Sequence, residues 1–333
     1  MKKKKEYTVV VAPRRGMGDC ISFYGIFKTI YKSVGHKLIL ITHKKTSAKN
    51  IFKNNKIFKE IIYLPEKKRS FVYSLKEYFD LTKIFYSLKS CKRNKLFILH
   101  GSFKYIITAK IAGFNLIEAI GERFQKFFLR NNKRVYKSFF SKILHPRDAS
   151  VILIKNIFNL KNIENNYFIS NNLKNFDSRK YIGIGLAASG YERFWGKNNF
   201  IQVLDFLIKK NFYKFLLLSG KNQANLENDI IKNFNKRKLY FIKTSHLSLS
   251  KIIHYLKDVK FYFGNDTGFS HLTVSYRIPS LILHGDAPPQ NYSNFIHPII
   301  NKKKIISKEA IKKIPYLDAK RNINFLLKKY KNK

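Results

Sequence analysis

The chain has 333 residues, with 66 Lys or Arg against 20 Asp or Glu, a formal net charge of +46. Hydrophobic residues make up 45%, enough for the cores of two domains, so disorder is excluded as the default state. No run of about eighteen apolar residues appears, and the two cysteines, Cys20 and Cys91, have neither disulfide-framework nor metal-ligand spacing.

Residues 1–5 are Met1-Lys2-Lys3-Lys4-Lys5, followed by a strand-like segment in place of a signal peptide's apolar region, so a cytoplasmic protein is expected. Residues 7–12 read as an apolar strand, and Pro13-Arg14-Arg15-Gly16-Met17-Gly18-Asp19 as a glycine-rich basic turn. Phe23, Phe27, Ile30 and Val34 then recur at helical spacing, which predicts a helix over 21–34 with Asp19 at its start. A dinucleotide fingerprint needs a third small residue where Ile21 stands and an acidic residue at ribose-binding spacing, so this turn is not read as an NAD site. By its chemistry alone Asp19 is either a helix cap or a carboxylate at a ligand corner. Strands at 37–42, 60–64 and 95–99 alternate with helices at 46–54 and 71–92, the pattern of an open α/β domain. Asn, Ser and Lys then replace that periodicity. We place a first domain at 1–163, a linker at 164–180, a second domain at 181–315, and a C-terminal segment at 316–333 whose helix is expected to pack back on the first domain.

The second domain opens on a strand at 181–185 and a loop of small residues that becomes basic. Gly183-Ile184-Gly185-Leu186-Ala187-Ala188 imitates a pyrophosphate turn, but the next helix is not expected before about Asn198, so these glycines open no helix. Arg193 and Lys197 flank the sole tryptophan, Trp195. A cation held beside that ring could meet a diphosphate; Lys197 reads more simply as a solvated charge. Strands at 215–219, 239–242, 259–263 and 280–284 alternate with helices at 200–209, 249–256 and 319–330. Between the third of these strands and a helix at 270–276 stands Gly264-Asn265-Asp266-Thr267-Gly268-Phe269-Ser270-His271. Free N–H groups at that helix start, hydroxyls from Thr267 and Ser270, and His271 one turn in would suit a phosphate, with Gly268 allowing close backbone approach. The plainer reading makes Asp266 or Thr267 a cap and His271 a packed histidine.

So large a positive charge would attract any polyanion. Lysine is spread through nearly every segment beside many Asn, Ile, Phe and Tyr, as AT-rich coding would write into any protein, and no nucleic-acid module is legible. No specific nucleic-acid partner is expected. A basic surface suits an anionic phospholipid and an anionic glycolipid acceptor.

In this order and at this separation, the three segments resemble the ADP-heptose:lipopolysaccharide heptosyltransferases and their relatives in glycosyltransferase family 9. Gly16-Met17-Gly18-Asp19 is similar to the family's opening motif, Leu99-His100-Gly101-Ser102-Phe103-Lys104 to its mid-domain motif, and residues 189–195 to its small-residue loop ending in a basic residue before tryptophan. Asp266-Thr267-Gly268, followed by Pro279, Leu283, Gly285 and Pro288, matches its most specific signature. The resemblance implies a GT-B architecture, two doubly wound Rossmann-like α/β domains facing across a cleft. It also implies inverting transfer, heptose from ADP-heptose being the first candidate, to a lipopolysaccharide core or related glycolipid at the cytoplasmic face of a Gram-negative inner membrane. Asp19 falls on the catalytic carboxylate. Arg193, Asn222, Asp266, Thr267, Gly268 and His271 fall on donor-binding positions, and Arg15, Gly16 and Gly18 on the acceptor loop. Asn222 stands where the family usually has a ribose-binding glutamate, and Gly196 where it has proline, which keeps open a transferase using another nucleotide sugar. A non-catalytic polyanion or glycolipid binder is the other alternative. No Asp-x-Asp occurs, so neither a metal nor another cofactor is expected, and Arg193 with helix N-termini would stabilise the leaving diphosphate.

Overall fold

The computed structural model describes residues 6–13, 16–65, 71–120, 146–163, 175–188, 190–285, 289–290, 292–301, 307 and 309–330. The chain divides into two compact units, Met1–Asn166 and Tyr167–Lys333.

In the first unit, β1 (Thr8–Val11), β2 (Leu38–His43), β3 (Phe58–Leu64), β4 (Leu96–Ile98) and β5 (Ile117–Ala119) form a parallel sheet in the order β3-β2-β1-β4-β5. The central strands are continuous apolar runs because helices cover both faces of such a sheet. Those helices are α1 (Met17–Ser22), α2 (Tyr24–Val34), α3 (Ala48–Ile51), α4 (Phe71–Ser87), α5 (Phe103–Ile111) and α6 (Pro146–Phe158). Val9, Val11, Ile39, Ile41 and Ile98 share one core with Leu81 and Phe85 of α4 and Ile106 and Ala109 of α5.

The helix expected over 21–34 is two helices, beginning at Met17 and broken at Phe23, whose φ of −85° and ψ of −8° make a turn. Ser22 O accepts a hydrogen bond from the buried Arg147 Nε (3.1 Å), so the end of α1 is satisfied from α6 and the ladder need not continue. The helix expected at 46–54 shrinks to a 3₁₀ turn at 44–46 and the four residues of α3, because Ser47 takes a left-handed φ of 53°. Nothing in the pattern predicted β5, a three-residue strand whose Glu118 is as buried as its neighbours. Of the linker at 164–180, residues 164–174 lie outside the described residues, and a 3₁₀ turn occupies 176–178.

In the second unit, β6 (Tyr181–Gly185), β7 (Lys214–Leu218), β8 (Tyr240–Lys243), β9 (Val259–Asn265), β10 (Ser280–Leu283) and β11 (Ile296–Ile299) form a second parallel sheet, ordered β11-β10-β9-β6-β7-β8. α7 (Lys197–Ile208), α8 (Ala224–Lys232), α9 (Leu249–Leu256), α10 (Gly268–Ser275) and α11 (Tyr316–Tyr330) accompany it. The unexpected β11 contains Pro298, tolerated because the strand lies at the sheet edge. The final helix, expected to return to the first domain, is assigned with the second unit. Its Ala319, Ile323 and Leu326 lie in that unit's core, and it packs on α7 and β11.

In each sheet the strand order reverses beside the first strand, between β1 and β4 and between β6 and β9. Open α/β sheets bind ligands beyond the carboxyl ends of the strands at such switch points. The glycine-rich turn follows β1, and the Asp-Thr-Gly segment follows β9.

Candidate active site

At the second switch point Gly185 of β6 lies opposite Gly264 of β9. A Cβ on Gly185 would overlap the Tyr262 hydroxyl, so glycine there is a packing requirement. Tyr262 Oη donates to Asn265 O (2.8 Å), and burial pushes its pKa up, keeping the phenol a neutral donor. Asn265, 1% exposed, donates from Nδ2 to Ala187 O (3.1 Å) and Leu186 O (3.4 Å). The loops after β6 and β9 are thereby joined.

Asp266 emerges at the end of β9 between two imidazoles. Its Oδ1 lies 3.3 Å from His271 Nε2 and its Oδ2 3.1 Å from His284 Nδ1. His271 Nδ1 hydrogen-bonds the Tyr292 hydroxyl, and the two rings stack with centroids 5.7 Å apart. Burial by itself would push the Asp266 carboxyl up. Hydrogen bonds and charge from His271 and His284 overcome it and hold the group well below the usual carboxylate range. The side chain is still 24% exposed, which leaves lone pairs open to a ligand hydroxyl. His284, 4% exposed, has no hydrogen-bond partner for Nε2 among the described residues.

Thr267 is the extended residue before α10 (φ −148°, ψ 176°). Its N–H donates to Ser270 Oγ (3.2 Å), which donates back to Thr267 O (2.7 Å). Thr267 is thus the N-cap of α10, in a capping box with Ser270. Thr267 Oγ1 is buried at the start of α10, beside the Tyr262 hydroxyl. As first-turn residues, Gly268 and Phe269 have N–H groups without intrahelical acceptors.

The remaining donor-side candidates follow β6 and β7. Arg193 is exposed, ending a 3₁₀ turn in which its N–H reaches Gly190 O (3.1 Å); Ser189 and Pro288 lie outside the described residues. Trp195 does not share the cation's role: at 1% exposure it packs edge-on to Phe200 and Phe263 and donates from Nε1 to Ile314 O (2.9 Å). Lys197 pairs with Asp229 at 3.4 Å, both side chains nearly half exposed, as a solvated charge should.

Asn222 is exposed in the 3₁₀ turn after β7. The carboxylate nearby is Glu227, fully buried, which accepts from Ser219 Oγ (2.5 Å), Thr244 N (2.9 Å) and Ser245 N (3.2 Å) on Oε1 and from Ser245 Oγ (2.6 Å) on Oε2. It holds the ends of β7 and β8 and is not free to bind ribose. Gln223 accepts from Gly220 N (2.8 Å) and donates to Ala188 O (3.2 Å), tying this turn to the loop after β6.

In the first unit Gly16 precedes α1, Gly18 is buried within it and Asp19 is its third residue; Arg15 lies outside the described residues. Gly16 N donates to Asp19 Oδ2 (3.3 Å), so Asp19 does cap α1. Its Oδ1 has no ion-pair or hydrogen-bond partner among the described residues. His100 stands after β4, across the switch point from β1, and accepts from Ser102 N on Nδ1 (3.0 Å). The structure thus groups Asp266, Thr267, Gly268 and His271 in one corner, and holds Asp19, Gly16 and Gly18 in another.

Sequence reading missed His284, Tyr292 and Glu227. The position of His284, directly after a strand that neighbours β9, was a usable signal. Tyr292 and Glu227 carry no local signal, because their partners lie on other elements, brought together only by the fold.

Residues 160–324 match the family model described as glycosyltransferase family 9 (heptosyltransferase). Among solved structures, a glycosyl transferase family 9 protein from Veillonella parvula aligns at 16% identity over 99% of both chains, with a TM-score of 0.74. E. coli ADP-heptose lps heptosyltransferase II aligns at 16% identity over 98% of this chain and 99% of its own, TM-score 0.70. E. coli heptosyltransferase WaaC, solved with ADP-2-deoxy-2-fluoro heptose, aligns at 14% identity over 96% and 99%, TM-score 0.69. At these identities the structural likeness establishes a shared fold. A search of curated proteins gives no match.

Proposed function

This chain is a heptosyltransferase-like glycosyltransferase of family 9 with the GT-B fold, and from that premise we propose that it moves a sugar from a nucleotide diphosphate donor, ADP-heptose being the first candidate, onto a lipopolysaccharide-core or related glycolipid hydroxyl, with inversion and without a metal. The observation that carries this reading is the corner at the end of β9. There the first N–H groups of α10 and the buried Thr267 hydroxyl stand beside a carboxylate held by two histidines.

The α10 N-terminus would hold the donor diphosphate, Thr267 Oγ1 adding a hydrogen bond from its hydroxyl and Gly268 the close backbone approach. Asp266, its ionised form favoured by His271 and His284, would accept from a hydroxyl of the transferred sugar. Arg193 would add charge as the diphosphate departs. Asp19 would take the acceptor proton as the hydroxyl attacks the anomeric carbon opposite the leaving group, giving inversion. A membrane-borne acceptor would bring the enzyme to the cytoplasmic membrane surface. No helix among the described residues is long and apolar enough to cross a membrane.

A different nucleotide sugar is the second reading, favoured by the donor edge: Asn222 is uncharged and exposed, and the nearby Glu227 is consumed internally. Titrating a panel of nucleotide sugars, ADP-heptose among them, by calorimetry tests both. Preference for ADP-heptose supports the first and preference for another donor the second, whereas no binding to any member rejects both.

A further inference from the structure

We propose that the outer face of α4 in the first unit is a docking surface for an anionic lipid bilayer. The inner face of α4 is accounted for by Leu81 and Phe85 in the core. At helical spacing Leu75, Phe79 and Tyr86 fall within an arc of about 40° on the other side. They are 62%, 60% and 51% exposed, and Tyr78 beside them is 41% exposed. A helix covering a sheet normally turns polar residues to water at those positions. An apolar stripe there marks a surface that something else covers.

The occupant follows from the charges around the stripe. Lys76, Lys83 and Lys89 are exposed along it. Lys83 Nζ lies 4.4 Å from the centre of the Phe79 ring, and Lys89 and Lys92 Nζ lie 3.6 and 5.3 Å from that of Tyr86. The two acids of α4 do not offset them: Glu77 is turned to Lys104 of α5 at 2.5 Å, and Asp80 is half-buried. A second copy of the chain docked here would set lysines against lysines. Exposed rings edged by lysines suit a headgroup layer, where the rings reach the acyl boundary and the ammonium groups meet phosphates. Each lysine near such a surface strengthens partition roughly fivefold. The proposal gives the membrane-borne acceptor of the preceding section a physical route to the enzyme. Its test contains no sugar nucleotide, so the two readings fail separately.

The test is co-sedimentation of the full chain with phosphatidylcholine vesicles, alone or with about one-third phosphatidylglycerol. The parent should bind the anionic vesicles and keep a bound fraction at about 0.5 M salt, where screening removes attraction arising from net charge alone. The charge-neutral variant Leu75→Gln/Phe79→Gln/Tyr86→Gln should melt as the parent does, bind at least about tenfold more weakly and lose the salt-resistant fraction. A Phe79→Trp reporter should shift its emission to the blue on anionic vesicles. The proposal is overturned by a triple variant that binds like the parent, by a reporter that does not shift, or by equal binding to neutral vesicles. Parental self-association lost in the triple variant, without vesicle binding, would reassign the face to a second copy, and absence of both would reassign it to a protein partner.

Discussion

Asp19 is a single side chain with two oxygens in different circumstances, one engaged by Gly16 N–H and the other without a partner among the described residues. Capping and proton transfer are therefore separable. Asp19→Asn keeps an oxygen for the Gly16 N–H, and Asn caps about as well as Asp, but it cannot accept a proton. We expect near-parental melting and donor affinity, with transfer slowed about 10²- to 10⁴-fold; transfer at the parental rate would leave Asp19 as a cap alone. Thr267 permits a second separation, because its hydroxyl is buried at the α10 N-terminus. Thr267→Val preserves the shape and removes only that hydroxyl, so stability should fall by no more than about 1.5 kcal/mol while the donor loses a charge-assisted hydrogen bond of about 1.5–3 kcal/mol. Calorimetry should show the donor Kd raised about 10- to 100-fold, and an unchanged Kd would take Thr267 out of the diphosphate contacts.

At the scale of elements, the site depends on loops being tied together at the carboxyl ends of the strands. Asn265 joins the loops after β9 and β6, Gln223 joins those after β7 and β6, and Glu227 joins the ends of β7 and β8. Removing Glu227 as Glu227→Ala strands two backbone N–H groups and two hydroxyls in a dry interior. A loss of about 3 kcal/mol or more is expected in urea unfolding, and a change near zero would mean that water already serves those groups. The β11 edge should respond to pH through His297, which bonds Tyr330 of α11 across 3.3 Å. Burial, with the charge of Lys329 second, pushes its pKa down to about 4. Between the ordinary histidine value of about 6.5 and that figure the unfolded chain binds the extra proton, so stability is full above about 6.5 and declines as pH falls through the window. His297→Asn should flatten the melting temperature across that range, and a profile as steep as the parent's would locate the proton elsewhere.

These ties also explain what was legible beforehand. Apolar strands with glycine-rich ends announced themselves through local pattern, as with β1 and its turn or β9 and Asp-Thr-Gly. Position after a strand drew attention to Asp19 and Asp266 but left each as either a cap or a ligand group; only the family resemblance gave them roles. The groups holding those elements in place were not legible, because Arg147 reaches Ser22, Tyr292 reaches His271, and Glu227 reaches Thr244 from another element of the fold. The short strands β5 and β11 failed for a different reason. One carries a buried glutamate and the other a proline, so residue type argued against strands that sheet position stabilises.

Over the whole molecule the dominant quantity is the net charge of +46, and it bears on how a diphosphate could leave. Transferases that grip the diphosphate through a divalent ion hold that ion with carboxylates, and this sequence contains no Asp-x-Asp. Its acids are also committed in places: Glu227 is buried in hydrogen bonds and Asp266 is shared by two histidines. Cations are plentiful, and a strongly basic protein draws an anionic donor towards itself through a long-range field that salt screens. Metal and charge therefore make opposite predictions. If the protein's own cations and the α10 N-terminus stabilise the leaving group, excess chelator should leave the initial rate within about twofold, while raising salt from about 0.05 to 0.5 M should lower kcat/KM for the donor with little change in kcat. Initial rates measured across a grid of chelator and salt decide the matter. Activity lost to chelator and restored by magnesium would transfer the leaving-group role to a metal, and a kcat/KM indifferent to salt would remove the field from the account of donor capture.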